Sequence, residues 1–274
     1  MHGRKQNPAA EKILMKVGFI QFCPVFGAKQ RNFEKVCQLL KGVTADVLVL
    51  PELFNTGYTF LDKKELLSLA EDAGGETHKF VITLARNLNC LFAYGYAEKD
   101  GAMVYNSAAL VSPQGIIGIY RKVHLFLEEK LYFEPGDRGF PVFEYGRVKY
   151  GLLICFDWIY PEAMRTLAIK GSQIILHCAN LIMPHCPDAM ITRALENRVY
   201  IITADRIGEE NRGDKKYHFI GKSQVIAPNG EILARTGDEE SIKVVDISPE
   251  AALNKKINPF NDLLSDRKEQ LYFK

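Results

Sequence analysis

Reactive side chains follow directly after apolar runs at four places in this chain. They are Glu52 after VLVLP, Lys122 after IIGIYR, Cys155 after YGLLI and Asn180 after QIILHCA. Ligands of α/β sheets bind outside the carboxyl ends of strands, so polar residues at these positions are stronger site candidates than polar residues elsewhere. A thiol, a carboxylate and an ammonium at one sheet edge would suit nucleophilic attack on an electrophilic carbon.

Cys155 lies between an apolar strand and a helix whose start is indicated by Pro161. There its sulfur could lie near backbone N–H groups that stabilise a thiolate, the nucleophilic form. The alternative is a structural thiol, because free cysteines are among the most buried residues and pack as small hydrophobes. Position alone leaves both interpretations open.

Glu52 and Lys122 have complementary candidate roles. Pro51 removes a backbone donor and ends its strand, so Glu52 lies at the tip of an apolar run. Desolvation there would raise the pKa of Glu52 and suit it to general acid–base work, while Lys122 could stabilise an oxyanion. The alternatives are a capping or ion-paired glutamate and a solvated lysine beside Arg121.

Glu129, in KVHLFLEEKLYFEPG, is a candidate to orient Lys122 or to contact the substrate, with Glu128 as its rival. One lysine between two carboxylates offsets the cost of burying both negative charges in a dry pocket. We therefore interpret Glu52, Lys122, Cys155 and one of these glutamates as a single constellation.

The elements that carry these residues indicate an α/β fold. Short β-branched runs alternate with helical patterns, and the turn signals KDG, SPQG and YGR predict hairpins in the middle of the chain. Consecutive apolar positions in the strands require cover on both faces. We predict a four-layer α-β-β-α sandwich with two mixed sheets.

Composition and length favour one domain that acts on a small molecule. The 274 residues are 47% hydrophobic and show no internal linker, so we expect one domain at 15–274 after an extension, 1–14, that is disordered. With a net charge of only +2, the chain lacks a strong electrostatic field that would attract nucleic acid or a membrane. Six cysteines without CxxC, and the absence of a visible signal peptide or long apolar run, favour a cytoplasmic protein.

Three motifs resemble those of the nitrilase superfamily, the carbon–nitrogen hydrolases. They are PELFNTGY at 51–58, YRKVHLF at 120–126 and LLICFDWIYPE at 152–162, in the family's order. The resemblance extends from Lys16 onward and implies the same four-layer sandwich. It also implies a homodimer or higher homo-oligomer, with RALENR at 193–198 near the interface and a C-terminal arm at about 255–274.

The resemblance implies a role for each matching residue. Glu52 would be the general base, Lys122 the oxyanion stabiliser, Cys155 the nucleophile and Glu129 the second glutamate. The residues expected to contact the substrate are Tyr58, Asn180 and Phe156, the last through its backbone N–H. Asp205, in TADRIG, departs from the pattern, because many members carry asparagine there.

The implied activity is hydrolysis of small amides, N-carbamoyl amines or nitriles through a cysteine thioester. It releases ammonia or an amine and a carboxylic acid, and it needs no metal or organic cofactor. An amide or carbamoyl hydrolase is preferred, and an aliphatic nitrilase is the alternative. Phe126, Phe133, Trp158 and Tyr160 either line the site or support it.

Three other interpretations predict different functions. A zinc site in HCANLIMPHC would use His177, Cys178, His185 and Cys186, but adjacent strand residues point to opposite faces. A papain-like enzyme would pair Cys155 with His124 or His177. A non-catalytic binding or assembly protein would keep the fold without turnover.

Overall fold

The computed structural model describes residues 13–272, so residues 1–12 of the predicted extension and residues 273 and 274 lie outside the described residues. The strands are β1 (Met15–Gln21), β2 (Val47–Val49), β3 (Leu91–Asp100), β4 (Met103–Ser112), β5 (Gly115–Arg121), β6 (Val142–Tyr145), β7 (Val148–Ile154), β8 (Ile174–Ala179), β9 (Tyr200–Asp205), β10 (Ile207–Arg212), β11 (Lys215–Ile220), β12 (Gln224–Ile226), β13 (Ile232–Arg235) and β14 (Ser241–Ile247). The α-helices are α1 (Lys29–Leu39), α2 (Lys63–Leu69), α3 (Glu76–Leu88), α4 (Glu129–Tyr132), α5 (Pro161–Ile169) and α6 (Cys186–Asn197). Short 3₁₀ helices span Cys155–Ile159, Pro249–Leu253 and Glu269–Leu271.

The strands form two large mixed sheets. Within residues 13–272, the first has the order β14-β1-β2-β3-β4-β5 and the second has the order β13-β12-β9-β8-β7-β6. Strands β1, β2 and β3 are parallel, as are β7, β8 and β9. The antiparallel pairs β3–β4, β4–β5 and β6–β7 confirm the hairpins predicted at KDG, SPQG and YGR.

Alternate residues of the first sheet belong to different layers, as the period of two in a strand requires. Phe19 and Val49 pack in the core that the two sheets share, whereas Ile20 and Leu48 pack against the outer helices α1 and α3. On the second sheet, α5 and α6 supply residues such as Leu167 to the same core cluster as β7 and β8. The predicted α-β-β-α sandwich is confirmed.

The hairpin β10–β11 and helix α2 were not predicted from the sequence. The hairpin is held across the chain by Glu210, whose carboxylate accepts the N–H groups of Tyr58 and Thr59 at 2.7–3.3 Å. Arg212 forms a two-point ion pair with Glu65 of α2. Because these contacts are polar and long-range, the strands lack the apolar alternation that would have revealed them.

Among the residues that the structure describes, no helix is long and apolar enough to cross a membrane.

Candidate active site

The four residues singled out at strand ends come from both sheets. Glu52 and Lys122 follow β2 and β5 of the first sheet, and Cys155 and Asn180 follow β7 and β8 of the second. All four are buried. Since β2 and β8 contact each other across the sandwich, these strand ends meet in one place.

A buried network joins Lys122 to two carboxylates. Its Nζ donates to Glu52 Oε1 at 2.8 Å and to Glu129 Oε1 at 2.7 Å, and the side chains of Lys122 and Glu52 are 0% exposed. Tyr58 donates its hydroxyl to Glu129 Oε1 at 2.7 Å. Thus Glu129 is the glutamate that lies beside the lysine. Tyr58 joins the network through its hydrogen bond to Glu129.

Glu128, the rival of Glu129, points elsewhere. Its carboxylate accepts the hydroxyl of Tyr217 on the hairpin, at 2.7 Å. Glu129 opens α4, and its own side chain is buried. The backbone turn between them therefore separates two adjacent glutamates into one that faces the network and one that faces the hairpin.

Asn106 belongs to this network and was missed by sequence reasoning. It lies in β4, where its Nδ2 donates to Glu52 Oε1 at 2.6 Å and approaches Glu129 Oε2 at 3.5 Å. The signal available in the sequence was an amide side chain within the largely apolar strand VYNSAAL, and the structure buries it fully. A buried polar side chain in such a strand needs a partner, and here the partners are the two carboxylates.

Burial and charge set the protonation of this network. Burial raises the pKa of Glu52 to about 7, with Lys122 lowering it and Glu129 raising it. For Lys122, burial lowers the pKa, but Glu129 and Glu52 together hold it above its usual value. Near neutral pH, Lys122 therefore remains charged while Glu52 is poised to exchange a proton.

Cys155 occupies a constrained backbone position. It begins the 3₁₀ helix after β7 and has φ +39°, a left-handed conformation that costs a non-glycine residue on the order of 1–3 kcal/mol. Asp157 accepts the N–H of Ile154 at 2.9 Å, and His177 Nε2 lies 3.0 Å from the carbonyl oxygen of Cys155. These contacts fix the turn that presents the sulfur.

The thiol of Cys155 is kept protonated by burial. Its Sγ donates to the carbonyl of Asn180 at 3.6 Å, and burial raises its pKa well above the usual value, with Glu52 adding to the rise and Lys122 opposing it. A backbone hydrogen bond at Asn180 lowers the pKa of this thiol, but burial outweighs it, so the thiol is protonated at rest. Attack by this sulfur requires a base.

A small cavity of about 10 Å³ lies beside Cys155. Its lining residues are Phe126, Cys155, Phe156, Trp158, Asn180, Leu181, Ile182 and Met183. Two of the four aromatic residues left open by the sequence, Phe126 and Trp158, thus line the site. Tyr160 instead stacks on His124 at 3.7 Å, and Phe133 packs edge-on against Phe60.

The side chain of Asn180 faces this cavity with unsatisfied polar atoms. The residue is buried, yet neither Oδ1 nor Nδ2 has a hydrogen-bond partner among the described residues. Buried amides are rarely left unpaired without a reason. That Asn180 contacts a substrate stays a prediction.

Neither histidine proposed for a papain-like site hydrogen-bonds the sulfur of Cys155. His177 contacts the backbone carbonyl of Cys155 and the hydroxyl of Thr203, and burial lowers its pKa to about 4. His124 pairs with the buried Asp157 at 2.8 Å. In the zinc alternative, His185 is exposed while Cys186 is buried, and no metal-binding group of three or more such side chains occurs among residues 13–272.

Asp205, the departure from the family pattern, supports the loop that carries Asn180. Its Oδ1 accepts the N–H of Leu181 at 2.8 Å, and its Oδ2 has no hydrogen-bond partner within the described part of the chain. Burial raises the pKa of Asp205 well above its usual value, whereas the N–H groups of Leu181 and Arg206 lower it. When protonated, the Asp205 carboxyl has the same shape as the side-chain amide of asparagine.

The four-layer fold, with a buried thiol beside two carboxylates and a lysine, defines the chain as an α/β enzyme of the carbon–nitrogen hydrolase class. The sequence profile of that family, carbon-nitrogen hydrolase, matches residues 16–254, and the chain belongs to this family. The resemblance found in the motifs is thereby confirmed.

Individual relatives carry both amidase and nitrilase names. The chain is 47% identical to a nitrilase of Pyrococcus abyssi, over 95% of this chain and 100% of that protein. It is 32% identical to an (R)-stereoselective amidase of a Pseudomonas species, over 85% of each chain. The crystal structure of a carbon-nitrogen hydrolase from Helicobacter pylori superposes with a TM-score of 0.86 at 26% identity, covering 95% of this chain and 97% of that one.

Proposed function

We propose that the chain hydrolyses small amides or N-carbamoyl amines through a thioester on Cys155. The observation that carries this proposal is the buried bridge from Glu52 through Lys122 to Glu129, whose charges all act on the pKa of Cys155. A thiol that is protonated at rest gains its reactivity from a base, and a carboxyl of pKa about 7 is matched to that task.

Acylation begins with transfer of the Sγ proton of Cys155 to Glu52. The thiolate attacks the carbonyl carbon, and Lys122 with the N–H of Phe156 stabilises the negative oxygen of the tetrahedral adduct. Glu52 then donates its proton to the nitrogen, the C–N bond breaks and ammonia or an amine leaves. The acyl group remains on sulfur as a thioester.

In deacylation, Glu52 activates a water molecule. Glu52 takes a proton from water, hydroxide attacks the thioester and the C–S bond breaks. The sulfur regains a proton from Glu52 and a carboxylic acid is released. Throughout, Glu129 and Tyr58 keep the ammonium of Lys122 in place, and Asn180 hydrogen-bonds the substrate from the other side of the cavity.

Nitrile hydrolysis is the second candidate, because of the 47% identity to the nitrilase of Pyrococcus abyssi. The same thiol would add to a nitrile carbon and give a thioimidate, which two waters convert to acid and ammonia. The residues have the same roles in both reactions, so substrate preference depends on the cavity.

An ammonia-release screen over matched nitriles, primary amides and N-carbamoyl amines tests this proposal. We expect turnover by the wild type, none by Cys155→Ala, and turnover by Cys178→Ala, which removes a neighbouring buried thiol from β8. Intact mass spectrometry should show a substrate-derived acyl adduct that disappears only in Cys155→Ala. Full turnover by Cys155→Ala would support the non-catalytic or another active-site interpretation instead.

We also propose that two copies associate through α5, α6 and the arm. The start of the arm packs against the end of α6. There Lys255 Nζ donates to the carbonyls of Asn197 and Arg198 at 3.0 and 2.9 Å. Apolar side chains are exposed on this region, including Leu195 of α6 and Phe260 of the arm, which is 91% exposed. Light scattering of the full chain should give a dimer mass or a multiple of it, and Leu195→Glu should lower that mass.

A further inference from the structure

The hairpin β10–β11 packs against the ring of Tyr58. Tyr217 and Phe219 of β11 meet this ring edge-on, with centroids 6.1 and 5.9 Å away. The hydroxyl of Tyr58 donates to Glu129 Oε1 at 2.7 Å, and the same oxygen accepts from Nζ of Lys122 at 2.7 Å. The direction in which Tyr58 points therefore affects where Glu129 holds the lysine.

Glu210 of β10 holds the backbone that carries this ring. Its Oε2 accepts the N–H groups of Tyr58 at 3.1 Å and of Thr59 at 2.7 Å. The carboxylate also lies against Gly57, which has φ +80° and where a Cβ atom would lie 2.7 Å from Glu210 Oε1. Hydrogen bonds to a charged acceptor are short and strong, so two successive N–H groups on one carboxylate fix the path of the chain at Tyr58.

Arg206 is the counter-ion of this carboxylate. Its Nη1 pairs with Glu210 Oε1, and the two side chains are 0% and 5% exposed. Its Cζ lies 4.0 Å from the centroid of the Phe219 ring, and its Nη2 donates to the carbonyl of Pro24 at 3.3 Å. Burying an ion pair costs desolvation, and an apolar pair of similar volume often stabilises a fold as well or better. Stability alone is therefore a weak explanation for a buried pair at this position.

Glu210 makes no hydrogen bond to the proposed catalytic groups among the described residues. Its partners there are the backbone of Tyr58 and Thr59 and the side chain of Arg206. Any effect of Glu210 on the lysine therefore passes through Tyr58 and then through Glu129.

We propose that Glu210 is a positioning residue for the hydrolysis, acting through Tyr58 and Glu129 on the ammonium of Lys122. The inference rests on the proposed function, because it concerns the lysine that stabilises the oxyanion there. While Glu210 holds the backbone of Tyr58, the tyrosine hydroxyl keeps Glu129 in place and the lysine stays aimed at the adduct. The oxygen of the adduct becomes negative only as the reaction proceeds, so loss of this alignment lowers kcat and leaves KM nearly unchanged.

The first test compares two double substitutions that leave no stranded charge. Arg206→Met with Glu210→Leu deprives the two backbone N–H groups of their acceptor, whereas Arg206→Met with Glu210→Gln retains an oxygen that can accept them. The substrate is butanamide, or the fastest compound of the ammonia-release screen, and active-site titration gives kcat per folded site. We expect kcat to be at least about tenfold lower with Glu210→Leu than with Glu210→Gln, and KM to agree within about threefold. Equal kcat values would overturn the inference.

A double-mutant cycle with Tyr58→Phe identifies the path. This substitution removes the hydroxyl that bonds Glu129, so position 210 can no longer act through it. In the Tyr58→Phe chain, the difference in kcat between the two double substitutions should shrink to about twofold or less. A difference that stayed as large as before would mean that Glu210 acts by another route, and the inference would be refuted.

Glu210→Asp gives the same test if the double substitutions fail to fold. It keeps a negative charge beside Arg206 and withdraws the carboxylate from the N–H groups by one methylene group. We expect kcat to fall by at least about fivefold in the chain with Tyr58 and by less than about twofold in Tyr58→Phe. Equal losses in the two chains, or no loss in either, would contradict the inference.

The matched control is Glu65→Gln, which weakens a second carboxylate–arginine pair on the same hairpin. Glu65 of α2 accepts from Arg212 of β10 at 2.6 and 2.9 Å. This variant should lower Tm and keep kcat per active site within about twofold. A kcat loss as large as that at Glu210 would show that any loosening of the hairpin slows the enzyme, and the specific role of Glu210 would be rejected.

Failure of the proposed function can be told apart from failure of this inference. If the wild type released no ammonia from any amide, carbamoyl amine or nitrile of the screen, the proposed function would fail and the positioning role with it. Wild-type turnover together with any of the contrary results above would reject the positioning role alone.

Discussion

Gly95 of β3 lies directly against Glu52. A Cβ atom on Gly95 would lie 2.5 Å from Glu52 Cα and 2.8 Å from Leu53 N, and the N–H of Gly95 donates to the carbonyl of Pro51 at 3.2 Å. The neighbouring Leu53 has φ +48°, so the backbone turns sharply just after the carboxylate. The turn that carries Glu52 therefore rests on a strand that must lack a side chain at this point.

We expect Gly95→Ala to lower kcat by about a hundredfold in the fraction that folds, because the new methyl group displaces the backbone of Glu52 by a sizeable part of an ångström or more. Gly118→Ala is the matched control. Its Cβ would lie 2.0 Å from the ring of Phe143, which takes no part in the network. That control should lower Tm and keep kcat per folded molecule. Thermal melts and active-site titration check both variants, and unchanged kcat in Gly95→Ala would contradict the argument.

The pH dependence of turnover should follow Glu52. Burial raises its pKa to about 7, and only the ionised form accepts the proton of Cys155. The value of kcat/KM should therefore rise roughly tenfold per pH unit below 7 and level off above it.

Asn106 provides a check on that assignment, because its hydrogen bond lowers the pKa of Glu52. Asn106→Leu should move the midpoint of the pH profile to higher pH. A profile that is flat from pH 5 to 9, or a midpoint that moves to lower pH in Asn106→Leu, would show that another group is titrating.

Replacing Glu129 and Glu128 one at a time tests which of these two adjacent glutamates is needed for turnover. Glu129→Gln removes a charge that pairs with Lys122 at 2.7 Å, so Lys122 should lose its position and kcat should fall by about a hundredfold. Glu128→Gln removes only a contact to Tyr217 and should retain kcat within a few fold. Steady-state kinetics on a neutral amide measure both, and equal losses would contradict a special role for Glu129.

Asp205 should make stability depend on pH. Its folded pKa is raised above the unfolded value of about 3.9, so its contribution to stability is complete below that value and is lost as pH rises through the folded pKa. Asp205→Asn keeps an oxygen that can accept the N–H of Leu181 and cannot ionise. Its Tm relative to wild type should therefore increase between pH 4 and pH 8.

The matched control for Asp205 is Asp188→Asn, an 80% exposed carboxylate paired with Arg235. Exposed pairs contribute little, so this variant should show no growing Tm difference with pH. If Asp205→Asn followed the wild-type pH dependence, Asp205 would be ionised in the folded protein.

Local patterns were enough to predict most of the sandwich. Strands and outer helices follow from apolar periodicity, and the turns at KDG, SPQG and YGR are encoded by adjacent residues, so neither requires knowledge of distant contacts. The hairpin β10–β11 was missed because Glu210 and Arg212 hold it through partners more than a hundred residues away.

The sequence by itself determined the candidate reactive groups, because Glu52, Lys122 and Cys155 each end an apolar strand and lie in a recognisable motif. Only the tertiary structure decided between Glu128 and Glu129, since adjacent residues are distinguished by where the backbone turns. It also added Asn106, which reaches Glu52 across a separation of 54 residues. The protonated state of Cys155 likewise depends on burial, which arises when the two sheets pack together.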